Sequence, residues 1–176
     1  GPGGRFAVFA FEASRPNATA TSGGEGEALP ACSEEGLIPW TNVTWDQADA
    51  ACQASGWRLC TEDEWSLACG GTDRQPLPYG QIHRPGWCND HQGGVGELEA
   101  GGVRDKCVSP VGAYDIIGNA WEWVADPGDG ANHYLGWGYR VSAILPTREP
   151  DCGAGLQNNT DGWDREEVGF RCCKDL

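Results

Sequence analysis

The sequence contains no methionine, no long apolar run and few basic residues. No apolar stretch approaches the roughly 18 residues that indicate a transmembrane helix, so no membrane insertion is expected. Twelve Lys and Arg residues stand against 26 Asp and Glu residues, which gives a formal net charge of −14. Nucleic acids and anionic membrane surfaces are bound by basic faces. The charge balance therefore excludes both as expected partners.

Several common catalytic patterns are also absent. There is no Gly-x-Ser-x-Gly elbow, no glycine-rich phosphate loop and no Cys-x-x-Cys pair. His83, Cys88 and His91 have a spacing that allows a metal site on a loop, but no fourth ligand is evident. We therefore favour surface histidines and a disulfide cysteine at these positions.

What the sequence does contain is nine cysteines and nine tryptophans in 176 residues. Cysteine at this density favours a disulfide framework and an oxidising location, which is extracellular, periplasmic or on the cell surface. Because nine is odd, at least one thiol lacks a partner within the chain. The Gly1-Pro2 start is typical of a protease-cleavage scar. We expect residues 1–4 to be scar and leader, and residues 5–176 to form a single domain.

Two capping boxes predict two short helices. In each, a Thr is followed three residues later by Gln or Glu, at Thr44–Gln47 and at Thr61–Glu64, so that side chains and backbone can satisfy each other reciprocally. The first predicted helix ends at Gly56, and the second, which carries Trp65, ends at 70–71.

Strands are predicted where apolar residues run together or alternate. The predicted strands are 5–12, buried on both faces, the end of 114–124, and 168–173. The segments rich in Gly, Pro and small polar residues are predicted to be loops: 13–31, 72–110 and 126–165. Few helices, short strands and long loops indicate an α+β domain with little regular secondary structure.

A series of motifs then resembles a known family. In order, they are VTWDQA (43–48), RLCTEDEW (58–65), CGG (69–71), PYG (78–80), PVGA (110–113), YDIIGNAWEW (114–123) and GFR (169–171). This series resembles the formylglycine-generating enzyme, or sulfatase-modifying factor, family. The resemblance implies a C-type-lectin-like fold with long loops.

The resemblance also implies disulfide pairs. The family's two structural bridges match Cys52–Cys172 and Cys69–Cys152, and Cys88–Cys107 is expected as a third pair because it brackets a Gly-rich loop. At most one further bridge is possible among the remaining cysteines, Cys32, Cys60 and Cys173. A vicinal bridge to Cys172 is not expected, because neighbouring side chains on a strand point to opposite faces.

A calcium site is a further implication of the resemblance. Its ligands would be the side chains of Asp115 and Glu122 and the carbonyls of Gly118 and Ala120. A hard cation prefers several oxygen ligands, which a Gly-containing turn can aim at one point. The alternative is that Asp115 caps a turn and Glu122 meets a buried arginine.

The family's catalytic cysteines have no counterpart. Its enzymes bind copper through two cysteines, and paired thiolates suit Cu(I). Counting back from Cys152 without gaps places these positions near Ser142 and Thr147, and no cysteine lies between Cys107 and Cys152. The absence favours a non-catalytic protein.

We therefore predict a binding module whose loops within 132–166 contact a protein or glycan ligand. The expected contact residues include large side chains typical of binding hot spots: Trp137, Tyr139, Ser142, Arg148 and Trp163. One subclass of this fold is the variable protein of a diversity-generating retroelement, which varies in the corresponding segment. The first alternative is a metal-dependent oxidase with a non-standard active site. The second is a structural part of a cell-surface assembly that is joined through an odd thiol.

Overall fold

The structure is a computed structural model that describes residues 5–125, 131–140, 149–153, 155–158 and 165–176. Loops connect short elements throughout. In chain order the elements are β1 (Phe6–Val8), α1 (Trp45–Ala54), β2 (Arg58–Leu59), α2 (Glu62–Gly70), β3 (Trp121–Trp123), β4 (Asn132–Leu135), β5 (Gly155–Asn158), a 3₁₀ turn (Arg165–Glu167), β6 (Val168–Phe170) and β7 (Cys172–Asp175).

Both predicted helices are confirmed, and both begin at the predicted capping boxes. The Thr44 hydroxyl accepts from the Gln47 backbone N–H at 3.1 Å, and the Thr44 N–H donates to the Gln47 side chain at 2.9 Å. Thr61 and Glu64 repeat this exchange at 3.2 and 3.0 Å. Each box satisfies two backbone donors at a helix start that would otherwise lack partners.

The strands form two small sheets. One has the order β1-β7-β2 and the other has the order β5-β4-β3-β6. The predicted loop 126–165 was wrong in part, because β4 and β5 lie within it and pair antiparallel. Their short sequences carry little signal of their own, and pairing with β3 is what makes β4 a strand.

The predicted C-terminal strand 168–173 is in fact two strands separated at Arg171. β6 pairs in parallel with β3, whereas β7 is the central strand of the other sheet. Arg171 donates to the carbonyls of Phe9 and Tyr114, at 2.7 Å each. These bonds hold the chain in the space between the two sheets, so regular pairing stops at this residue.

The predicted strand 5–12 is shorter than expected. β1 covers only Phe6–Val8, and its residues are half-buried. Beyond it the chain keeps single backbone bonds to the C-terminal strands, from Phe9 N–H to Cys172 O and from Ala13 N–H to Phe170 O. The apolar run is thus anchored to the core without continuing as a strand.

Four disulfides join segments that are distant in sequence and close the long loop. They are Cys52–Cys172, Cys60–Cys173, Cys69–Cys152 and Cys88–Cys107. Cys52–Cys172 and Cys69–Cys152 are the pairs that the resemblance implies, and Cys88–Cys107 is the pair expected from the Gly-rich loop that it brackets. The first joins residues 120 apart, and loop-closure entropy puts such a bridge at roughly 4–5 kcal/mol. Around the bridges pack large buried side chains, which include Trp40, Trp65, Trp123 and Trp137.

Within the described ranges, no helix has the length and apolar character needed to cross a bilayer.

Candidate ligand-binding site

Glu122, a predicted calcium ligand, lies in the middle of β3 and is completely buried. Its carboxylate accepts from the indole N–H of Trp65 at 2.6 Å. It also accepts from Arg171, whose Nη2 lies 2.9 Å from Oε1 and whose Nε lies 3.1 Å from Oε2. The alternative in which Glu122 meets a buried arginine is therefore what the structure contains.

The other three predicted calcium ligands lie nearby on the turn that leads into β3. The Asp115 carboxylate accepts from the Gly102 backbone N–H at 2.6 Å, and its burial raises its pKa to about 6. Gly118 has a φ of 84° and packs so closely that an added Cβ would lie 2.8 Å from the Asn89 carbonyl oxygen. The Ala120 N–H donates to Glu12 Oε1 at 3.0 Å.

These contacts do not form a ready cage for calcium. A cation beside the Glu122 carboxylate would face the Arg171 guanidinium, which already holds both oxygens of that carboxylate. Calcium prefers six to eight oxygen ligands, and as placed this carboxylate is committed to nitrogen donors. Calcium binding at these residues stays a prediction, which a melting experiment can test.

Glu12 is an important buried residue that the sequence reasoning missed. It lies at the end of an apolar run and is 3% exposed. Its carboxylate accepts from Asn119 Nδ2 at 2.7 Å as well as from the Ala120 N–H. Burial, followed by the nearby carboxylates of Asp115 and Glu122, raises the pKa of Glu12 well above its usual value. The only sequence signal was a carboxylate at the end of a run otherwise expected to be buried on both faces.

Two of the expected ligand-contacting residues lie in the interior. Trp137 is fully buried, packs against Trp121 in a tilted arrangement with ring centroids 5.3 Å apart, and donates its indole N–H to His91 at 2.8 Å. Tyr139 is 6% exposed, and its backbone N–H donates to the Asn119 carbonyl at 3.0 Å. Both side chains therefore belong to the core that supports the loops, and we leave them out of the contact surface.

The other three expected contact residues, Ser142, Arg148 and Trp163, lie outside the described residues. So does Thr147, which together with Ser142 lies near the positions at which the resemblance places the family's catalytic cysteines. In the described part of the segment, β4 and β5 pair residue by residue from Asn132↔Asn158 to Leu135↔Gly155. This hairpin continues the sheet that contains Glu122.

The histidine and cysteine cluster considered above does not form a metal site. Cys88 is bonded to Cys107, His83 lies 2.6 Å from Asp90, and His91 accepts from Trp137. Across the residues that the structure describes, no group of three His, Cys, Asp or Glu side chains could hold a metal ion.

The disulfides leave one thiol in the whole chain. All nine cysteines are described, eight of them are bridged, and Cys32 is free. Burial, followed by nearby Glu34, raises the pKa of the Cys32 thiol. A raised pKa keeps this thiol protonated and weakly nucleophilic at neutral pH.

Known proteins resemble this chain in sequence. Residues 11–176 match the model of the sulfatase-modifying factor enzyme 1-like domain. The chain is 36% identical over 150 residues to the inactive C-alpha-formylglycine-generating enzyme 2 of Bos taurus, covering 77% of this chain and 50% of that protein. It is 29% identical over 165 residues to the formylglycine-generating enzyme of Bos taurus, covering 78% and 44%. The chain thus spans about half the length of these curated relatives.

Solved structures show the same fold. Treponema denticola variable protein 1 superposes with a TM-score of 0.71 at 16% identity, covering 97% of this chain and 84% of that chain. The U1 variant of the Major Tropism Determinant superposes with a TM-score of 0.60 at 14% identity, covering 97% and 50%. At sequence identities this low, the superposition shows only that the fold is shared. The expected α+β, C-type-lectin-like fold is confirmed.

Proposed function

The chain belongs to the sulfatase-modifying factor enzyme 1-like family, and we propose that within it this protein is a non-catalytic, exported binding module. The observation that carries the proposal is the single free thiol. Copper chemistry in this family needs two thiolates side by side. Four disulfides leave only Cys32, so no pair of thiols is available.

The export part of the proposal is supported by those bridges. Disulfides persist in oxidising compartments and are rare in reducing ones, and four in a chain of 176 residues is a high density. The similarity to a relative named an inactive enzyme supports the non-catalytic part.

The part of the proposal that concerns ligand binding rests on the contrast between a buried sheet and the segments that carry the expected contact residues. The sheet β5-β4-β3-β6 has a rigid centre, in which Trp121, Trp137 and Glu122 are buried. In sequence, segments 141–148 and 159–164 lie on either side of β5, and they contain the remaining expected contact residues Ser142, Arg148 and Trp163. Loops on a rigid scaffold are a common site of recognition. The ligand class we propose is a protein or a glycan, contacted as in the variable proteins of diversity-generating retroelements.

The absence of catalysis is tested with the purified chain, Cu(I), oxygen and a peptide that contains a cysteine. We expect no stoichiometric copper binding, no oxygen consumption and no formylglycine in the peptide by mass spectrometry. The Ser142→Cys, Thr147→Cys double variant is the matched control, since it restores two thiols and should bind copper. Stoichiometric copper or iron with oxygen consumption in the unmodified chain would establish the oxidase alternative.

The binding surface is tested by randomising it. A display library varied at Ser142, Arg148 and Trp163 should fold as often as the parent chain, measured by protease resistance. A matched library varied at Trp121, Trp137 and Tyr139 should not fold, because these side chains are buried. Equal loss of folding in both libraries would contradict the proposed division between scaffold and surface. At the gene, a near-copy of the segment that encodes 138–166 beside a reverse transcriptase gene would identify the retroelement subclass.

A further inference from the structure

A cavity of about 290 Å³ lies beside the Cys69–Cys152 disulfide, and none of the predicted calcium ligands or the buried tryptophans of the sheet lines it. Three segments form its walls. Ser66 lies on α2, the turn 74–76 follows that helix, and residues 151–153 complete the opposite side. No role described so far uses these residues.

The walls of the cavity are held in fixed positions. The disulfide ties α2 to residue 152, with a Cα–Cα distance of 5.5 Å. The Cys152 N–H donates to the Pro76 carbonyl at 2.7 Å, so the two walls are also hydrogen-bonded. The Gln75 N–H donates to the Gly70 carbonyl at 2.9 Å, and a Cβ at Gly70 would clash with the Gln75 backbone. A preformed cavity of this kind can bind a ligand with little loss of the protein's conformational entropy.

Two opposite charges line the cavity without neutralising each other. Among the described residues, no ion pair joins Arg74 to Asp151, and the Arg74 guanidinium has no hydrogen-bond partner. Asp151 uses Oδ1 to accept from the Gly153 N–H, which leaves its other oxygen for a ligand. Both side chains are exposed, so each can exchange water for a ligand group.

Arg74 is also held in an uncommon backbone conformation. Its φ is 49°, in the left-handed region that long side chains rarely adopt. Its N–H donates to the Gly71 carbonyl at 3.0 Å, which fixes the turn that brings this residue to the cavity. Residues held in such conformations cluster at ligand sites, where the surrounding structure maintains them.

We propose that this cavity binds a small zwitterion, either a free α-amino acid or a compound with the same paired ammonium and carboxylate groups. Arg74 binds the carboxylate, for which its planar guanidinium is suited, and Asp151 binds the ammonium group. A ligand with a single charge would be attracted by one of these two side chains and repelled by the other. The volume lies just below the usual range for drug-sized ligands, which suits a small ligand of this kind. The site does not depend on the loop surface proposed above.

Calorimetric titration of the intact chain with each of the common L-α-amino acids tests the proposal. At least one neutral amino acid should bind saturably, and about tenfold or more tightly than acetate or methylammonium, which each carry one of its two charges. Arg74→Gln and Asp151→Asn should each weaken binding about tenfold or more, because each removes a charge-assisted hydrogen bond.

Exposed residues that do not line the cavity provide controls. Arg84→Gln and Asp73→Asn make the same chemical changes at exposed positions that do not line it, and both should bind like the parent chain. The proposal is overturned if no amino acid binds, if acetate binds as tightly as the amino acid, or if the two cavity variants retain full affinity. All four variants alter exposed side chains, so their melting temperatures should match that of the parent chain.

Discussion

Glu122 and Arg171, 49 residues apart in sequence, form a fully buried ion pair between the two sheets. The Arg171 side chain also donates to the carbonyls of Phe9 and Tyr114, so its donors are satisfied by three separate parts of the chain. Trp65 adds a further bond to the carboxylate. The Trp-Glu-Trp and Gly-Phe-Arg motifs that identify the family are therefore two halves of one structural unit.

Breaking this pair should be costly. Arg171→Met or Glu122→Leu leaves an uncompensated buried charge, so each single change should lower the free energy of unfolding by about 3–5 kcal/mol. The double variant should lose clearly less than the sum of the two, because it leaves neither charge unpaired. Urea denaturation followed by tryptophan fluorescence measures all three values. Strict additivity would contradict the interpretation of the pair as a single unit.

Calcium binding at the turn is tested by melting the protein with calcium and with a chelator. If Asp115, Gly118, Ala120 and Glu122 bind the ion, calcium raises the melting temperature of the parent chain by mass action. Glu122→Ala should melt lower in calcium and show no difference between the two buffers. Identical curves for the parent chain in both buffers would remove the calcium prediction and leave Arg171 as the partner of Glu122.

Local chemistry in the sequence predicted the helices well, because each begins at a capping box whose partners lie three residues apart. The strands were harder. β4 and β5 are strands only because β3 lies beside them, and this long-range pairing leaves no clear pattern in a four-residue segment. The division of 168–173 at Arg171 likewise depends on carbonyls supplied by Phe9 and Tyr114.

The candidate site shows the same limit. The resemblance indicated Glu122 as a site residue. The sequence around Glu122 did not distinguish a calcium ligand from the partner of a buried arginine. Trp137 and Tyr139 were expected at a surface because they are large side chains typical of binding hot spots within the predicted loops of 132–166, yet packing against Trp121 and His91 buries Trp137. Whether an aromatic residue in such a segment supports the loops or contacts a ligand is decided by neighbours that are distant in sequence.

Trp137 should accordingly behave as a core residue. Trp137→Ala removes its packing against Trp121 and its hydrogen bond to His91, and should cost about 3–5 kcal/mol of unfolding free energy. Thermal melting and urea denaturation both measure this loss. If the variant is as stable as the parent chain, Trp137 is not a core residue and again becomes a candidate for ligand contact.

The disulfide pattern predicts a thiol count. Under denaturing, non-reducing conditions the chain should react with one equivalent of a thiol reagent, at Cys32, and with nine after reduction. Cys60→Ala with Cys173→Ala removes a bridge between residues 113 apart and should cost about 2–5 kcal/mol. The count should remain one in this variant. Peptide mapping by mass spectrometry identifies the pairs, and a count of nine without reduction would contradict the framework.

Glu64 should give part of the stability a defined dependence on pH. Burial opposes its charge, but bidentate bonds from Arg58, both at 2.7 Å, and a bond from the Thr61 N–H hold the pKa of Glu64 below its usual value. A carboxyl group whose pKa is lowered by folding stabilises the protein above its unfolded pKa of about 4.3. This contribution is lost as the pH falls through the lower folded pKa.

Glu64→Gln should therefore lower the free energy of unfolding by about 1–2 kcal/mol at pH 7, and by progressively less below about pH 4. Urea denaturation of both proteins across this range measures the difference. Asp63→Asn is the matched control, since it removes an exposed carboxylate from the same helical turn and leaves the bonds from Arg58 intact. If the difference between parent and Glu64→Gln stays constant down to pH 3, the Glu64 carboxylate does not supply the stabilisation assigned to it.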